Sequence, residues 1–387
     1  MRSTCCSQSP RGAFVSFHAC SSSALHGRTF VQLALVLFAL LPAIGFGCDE
    51  RALSDAVSSV ARSKHIPGMA IAVSDESRVL WSFGYGVANL EDNVPVSPEH
   101  TRFRIGSTSK ALTAFGLMRL VDRGQFDIDA PIKQYVPSVT DLGITARLLG
   151  GHLAGIRGYR DISELGSTTH YPSVTASLSV FMQDPLVAPP GEQFVYSSYG
   201  FTLLSAAIET AAKEDFLTYM SKEVFTPLHM SSTVPDEPTA IVSGRTGFYY
   251  FDAGELKNGP PIDSSYKWAG AGFLSTALDL ARFGRANFDT PLLSERSQQI
   301  LWRSQRTEAG VATNYGLGWF IHDGYVEHPG GIVGGSALLR IYPQEKLVIA
   351  ILGNLSIVAD DWAGDLPDKF HSCFSIRRSP ATPPSPT

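Results

Sequence analysis

The chain has 387 residues, of which 44% are hydrophobic and 17% charged, a globular composition that excludes wholesale disorder. Its formal net charge is −5, and because residues 1–47 carry Arg2, Arg11 and Arg28 but no Asp or Glu, the remainder is more acidic still. An acidic body argues against nucleic acid as a partner.

The longest apolar run, Phe30 to Phe46, follows Arg28 and leads into Gly47 and Cys48. A cation, an apolar stretch and small residues (Gly45, Gly47) at the cleavage positions form the pattern of a secretory signal, so residues 1–47 are expected to be a signal or targeting segment. Cys48 would then begin the exported protein and be open to lipidation and membrane anchoring. The Ser- and Arg-rich, acid-free stretch ahead of the run also reads as a mitochondrial presequence, leading to the intermembrane space, or as a start codon assigned too far upstream. Cys5, Cys6 and Cys20 lie in this leader, and the pair left in the body, Cys48 and Cys373, is expected to form no disulfide framework and no zinc site.

Beyond the leader, Leu53, Val57, Val60 and Ala61 recur at helical spacing over Arg51 to Lys64, and Ile66-Pro67-Gly68 ends the helix. Met69 to Val73 and Val79 to Val87 read as two strands joined by the polar turn Ser74 to Ser77. Lys110 to Val121 reads as a buried helix beginning near Ser107. Residues 127–287 mix helices, such as Phe201 to Ala212, with Pro- and Gly-rich loops. Strand character returns at Tyr315 to Asp323, Gly334 to Tyr342 and Leu347 to Leu352, and a last helix is expected over Asp360 to Phe370. The tail 377–387 is Pro/Ser-rich and expected to be disordered. Strands at both ends around a helical middle predict an α+β fold, with both chain ends in one antiparallel sheet of a domain spanning 48–376.

Acyl transfer by serine needs a nucleophile, a proton acceptor and donors for the oxyanion. Phe103 to Lys110 (FRIGSTSK) supplies the first two: Ser107 and Lys110 are three apart at a helix start, so they share a face, and free N–H groups and the helix dipole favour an anion there. The bare S-x-x-K pattern is weak, since about one or two copies are expected by chance in such a chain. Ser264 to Lys267 is a second copy. It sits in a Pro-flanked loop, without the apolar helix that would orient it, so context selects Ser107.

With these residues in view, the sequence resembles the S-x-x-K serine hydrolases: class C β-lactamases, DD-peptidases, family VIII esterases and, most similar, the mitochondrial β-lactamase-like proteins. FRIGSTSKALTA resembles the nucleophile helix, Tyr196-Ser197-Ser198 the Y-x-N element, and His328-Pro329-Gly330 the K-T-G or H-x-G strand motif. The resemblance runs from about Asp55 to Leu355 and implies the β-lactamase/DD-peptidase fold. It implies Ser107 as nucleophile, Lys110 and Tyr196 as the proton-handling pair, His328 as a further catalytic residue, and the N–H groups of Ser107 and Gly331 as the oxyanion hole. Ser198 and Gly330 would contact substrate.

Two positions depart from the antibiotic-hydrolysing pattern. Ser198 replaces an Asn with a short hydroxyl, and His328 replaces a Lys. A cleft-facing histidine with an ordinary pKa near 6.5 is mostly neutral at pH 7, so carboxylate recognition should weaken and return as pH falls. His152 is read as structural. His322, Asp323, Glu327 and His328 match no zinc spacing, and the reading requires neither metal nor cofactor. Asn354-Leu355-Ser356 would accept a glycan in a eukaryotic secretory pathway. The resulting expectation is a hydrolase of peptide, amide or ester bonds acting on a small-molecule or peptide substrate. The rival readings are a true β-lactamase or DD-peptidase, and a catalytically silent binding protein.

Overall fold

In the computed structural model the two β-runs near the start of the body form a hairpin, β1 (Gly68–Ser74) and β2 (Val79–Asn89). The Asp75 carboxylate closes it by accepting from the N–H groups of Ser77 and Arg78 and from the Ser77 hydroxyl, a side chain satisfying its own turn. The structure describes residues 48–375 apart from 141, 289–290 and 357–360. The expected targeting segment and the tail lie outside the described residues.

Helix α1 (Glu50–Ser63) precedes the hairpin and is capped by Asp49, whose carboxylate accepts from the Arg51 and Ala52 N–H groups. Besides β3 (Val94–Pro95), the remaining strands of the main sheet come late: β4 (Phe320–Ile321), β5 (Val326–Ile332), β6 (Gly335–Tyr342) and β7 (Leu347–Gly353). The spatial order is β3-β2-β1-β7-β6-β5-β4. Met69 pairs with Gly353 and Ser74 with Val348, so the two chain ends meet in one antiparallel sheet, as expected.

Alternation along β1 and β7 divides the core. Met69, Ile71, Val73, Ile349 and Ile351 pack with Leu53 and Val57 of α1 and with Phe370 and Phe374 of a last helix, α5 (Leu366–Ser375). Ala70, Ala72, Val348, Ala350 and Leu352 face the other way, onto the larger core that holds α2 (Ser109–Asp122), α3 (Ser198–Ala212) and α4 (Ala277–Arg285). Both central strands are therefore buried on both faces. Helix α2 is buried nearly all round, leaving only Arg119, Val121 and Asp122 in part to solvent.

Several expectations change. Tyr315 to Asp323 contributes only the short β4, because Tyr315 bridges back to Phe320 and the Gly316 N–H donates to the Trp319 carbonyl, making a tight turn. The last helix begins at Leu366 rather than at 360. Pro367 in its first turn lacks the N–H and the clearance to continue an earlier helix. Asn354 is fully buried, accepts from the Gly68 N–H and donates to the Val87 and Ala88 carbonyls, so its amide ties β1 to β2 and is closed to a glycan.

Cys48 and Cys373, expected to form no disulfide framework, do form one disulfide with their Cα atoms 5.3 Å apart, joining the start of α1 to α5. Packing of both terminal helices on one sheet face brings together residues 325 apart in sequence, and a thiol in this bridge is not available for lipidation. Reduction, or Cys373→Ser, is expected to lower stability by about 2–4 kcal/mol, read as the denaturant midpoint. Equal midpoints for oxidised and reduced protein would refute the bridge.

Candidate active site

Ser107 lies in a single 3-10 turn, Gly106–Thr108, that runs directly into α2. Lys110 is in the first turn of α2, so local helix geometry sets its nitrogen 3.0 Å from Ser107 Oγ. Lys110 is fully buried and its nitrogen also contacts Ser198 Oγ at 3.1 Å and Gly270 O at 2.8 Å. Burial first, and then the charge of Lys267, hold Lys110 well below the usual lysine value of 10.5.

Tyr196 and Ser198 flank the N-cap of α3. Ser197 Oγ accepts from the Gly200 N–H at 3.2 Å, starting the helix three residues earlier than expected. His152 fixes this corner: its carbonyl accepts from the Val195 N–H and its Nδ1 from the Ser197 N–H, with its ring centroid 4.2 Å from that of Tyr196. The Tyr196 ring lies 4.7 Å from Lys110 Nζ. Loss of water around its hydroxyl raises its phenol although part of the ring stays exposed, and the neighbouring Ser107 hydroxyl offsets only some of that rise.

Strand β5 forms the opposite wall. The Thr108 hydroxyl donates to the His328 carbonyl at 3.0 Å, docking the Ser107 turn against the strand. A Cβ on Gly330 would sit 2.0 Å from Ile105 O, so only glycine permits this approach. Gly330, expected to meet substrate, instead lies buried against the turn. Gly331 is the exposed residue, and a Cβ on Gly106 would stand 2.9 Å from its nitrogen, so the strand packs against the residue just before Ser107. Gly330→Ala is expected to lower stability by about 1–3 kcal/mol. The displaced turn should reduce kcat/KM far more than KM alone explains, and wild-type kinetics in this variant would contradict the docking.

His328 departs most from expectation. Its ring is fully buried rather than open to the cleft. The Pro329 carbonyl, 2.6 Å from Nδ1, can only accept, so Nδ1 carries the proton and Nε2 accepts from the Tyr315 hydroxyl at 2.9 Å. Burial, followed by the Lys110 charge, pushes it down to about 3 against the Pro329 hydrogen bond. The imidazole is neutral across the working range, and the expected pH-dependent grip on carboxylates is lost.

A family model described as Beta-lactamase matches residues 52–369. The chain belongs to the beta-lactamase family. As a beta-lactamase-family protein it is a serine hydrolase. It is 29% identical over 402 residues to the human serine beta-lactamase-like protein LACTB, mitochondrial, a match covering 77% of this chain and 73% of that protein. In fold it is similar to the octameric penicillin-binding protein homologue from Pyrococcus abyssi (TM-score 0.68, 24% identity, 79% of this chain and 73% of that one). It is likewise similar to the D-amino acid amidase from Ochrobactrum anthropi (TM-score 0.72, 19% identity, 85% and 99%).

Within this family framework the second S-x-x-K copy is inert by position. The Ser264 hydroxyl is buried without a hydrogen-bond partner, and Lys267 Nζ reaches the Leu165 carbonyl and the Tyr266 hydroxyl instead. Glu327 pairs with Arg340 at 2.8 Å and with His322 at 3.3 Å, apart from the His328 ring. Sequence reasoning missed Gly270 and Tyr315, which touch Lys110 and His328 through a carbonyl and a hydroxyl that carry no local signal.

Proposed function

We propose that the chain hydrolyses neutral ester, amide or peptide bonds through an acyl-enzyme on Ser107. The observation that carries this reading is the set of partners around Lys110. A neutral amine has two donors and one lone pair: Gly270 O and Ser198 Oγ take the donors, leaving the lone pair for the Ser107 proton. As Ser107 Oγ attacks the substrate carbonyl carbon, Lys110 takes that proton, and the N–H groups of Ser107 and Gly331 hold the oxyanion. Collapse breaks the bond to the leaving group, which receives the proton through the Tyr196 hydroxyl. Water then attacks the acyl carbon, returns a proton along the same path, and releases the acid and free Ser107. The raised phenol suits Tyr196 to relay as a neutral hydroxyl rather than to act as a phenolate base.

Neutral, apolar substrates are favoured over carboxylate-bearing β-lactams because His328 brings no charge to β5 and the rim is aromatic. Phe194 and Tyr196 remain 38% and 37% exposed, and Phe320 stacks 6.3 Å from Tyr196. The mitochondrial label of the mammalian relatives supports the organellar alternative for residues 1–47 over export. Among the described residues no helix is long and apolar enough to cross a membrane.

The test is a fluorophosphonate probe with the adduct located by mass spectrometry. Labelling is expected at Ser107. An adduct on another serine rejects the assignment, and a folded protein that takes no label is the silent binding protein. Alongside it, kcat/KM for a short neutral ester should exceed that for a chromogenic cephalosporin; the reverse order makes the protein a β-lactamase.

A further inference from the structure

The K-T-G form of the strand motif has a lysine where this chain has the uncharged His328. A second lysine, Lys267, is fully buried just before the short helix Trp268–Ala271. That single helical turn spans the two lysines. The Lys267 carbonyl accepts from the Gly270 and Ala271 N–H groups, while the Gly270 carbonyl receives Lys110 Nζ and the Ala269 carbonyl receives the Thr113 hydroxyl of α2. Lys267 Nζ donates to Leu165 O at 2.6 Å, contacts the Tyr266 hydroxyl at 2.9 Å, and lies 5.7 Å from the Tyr159 ring centroid.

The charge of Lys267 is only partly offset by its surroundings. Among the described residues no carboxylate hydrogen-bonds or ion-pairs with it. Asp236 is held by Arg104 at 2.6 Å, and Asp263 accepts from the Ser265 N–H and pairs with His170 at 3.0 Å. We propose that Lys267 is a positioning residue for the reaction, supplying Lys110 from beneath the Trp268–Ala271 turn with the neighbouring positive charge that the strand does not supply.

The proposal rests on Lys110 being the base. Burial, with Arg104 second, pushes Lys267 down to about 7 against the pull of Asp236 and Asp263. The charge that Lys267 gains as pH falls through about 7 opposes protonation of Lys110. Activity is carried to lower pH than Lys110 would reach beside neutral neighbours. The other titratable groups facing Lys110 cannot do this. His328 and His152 are both pushed down by burial, with Lys110 the second cause, and stay neutral, while Tyr196 is pushed up.

The experiment is the pH profile of kcat/KM from pH 5 to 9, on a neutral ester, for wild type, Lys267→Met, Lys267→Gln and Lys267→Arg, each checked by thermal melting. The Met and Gln variants should move the acid limb to higher pH, losing about tenfold at pH 6, with the gap closing towards pH 9. Lys267→Arg should keep the limb at or below its wild-type position. Lys267→Gln retains a donor for the Leu165 carbonyl, so the comparison stands even where the Met variant fails to fold. An unmoved acid limb in Lys267→Gln, or an equal loss at every pH in the Gln and Arg variants, overturns the proposal. Full activity in Lys110→Met would instead overturn the underlying reading of Lys110 as base.

Discussion

Ser107→Ala is expected to lower kcat/KM for ester hydrolysis by about four orders of magnitude or more while leaving the melting temperature within a few degrees of wild type. The loss is large because no neighbour can substitute. Ser198 Oγ also contacts Lys110, at 3.1 Å, but Ser198 is buried at the start of α3. Ser264 has no access at all. The fold should tolerate the change, since among the described residues the hydrogen bond of the Ser107 hydroxyl is to Lys110 and Ser107 is only half-buried. Turnover within tenfold of wild type in this variant, measured with an assay free of background esterase, would remove Ser107 from the chemistry.

Lys110→Met should come close to that loss, and combining it with Tyr196→Phe should add little, because the two residues serve one proton path. A double-variant loss equal to the sum of the single losses, in free-energy terms, would mean they act separately. Stability should respond in a different direction from activity. A lysine whose folded pKa is depressed binds fewer protons folded than unfolded, so stability rises with pH from that lowered value up to the ordinary 10.5. Lys110→Met should flatten this slope. It also leaves Gly270 O and Ser198 Oγ without their donor, a penalty of about 1–3 kcal/mol. Denaturant midpoints from pH 6 to 10 in both proteins measure the slope, and parallel profiles would refute a depressed Lys110.

Much of the chain was legible before any coordinates because the relevant physics is local. Short, continuous apolar runs rich in Val and Ile at Met69 to Val73 and Leu347 to Leu352 mark strands buried on both faces. The three-residue offset of Ser107 and Lys110 at the head of an apolar run brings them together on any helix. Tyr196 was legible only through its neighbours, since a lone tyrosine is more often core than catalyst. The turn at Tyr315 to Trp319 misread as strand because its aromatic alternation imitates a pleat, and only the hydrogen bond closing Gly316 onto Trp319 exposes the reversal.

By itself, then, the sequence determined the α+β sheet-and-helix plan and the Ser107–Lys110 pair, both products of short-range spacing and patterning. Tertiary structure alone decided that Cys48 meets Cys373, that His328 is buried and neutral, that Gly330 backs the nucleophile turn, and that Lys267 lies across a single helical turn from Lys110. Each of these depends on burial and on partners distant in sequence. Removal from water and the fields of such partners set ionisation and access, and neither is written in a residue's immediate neighbours.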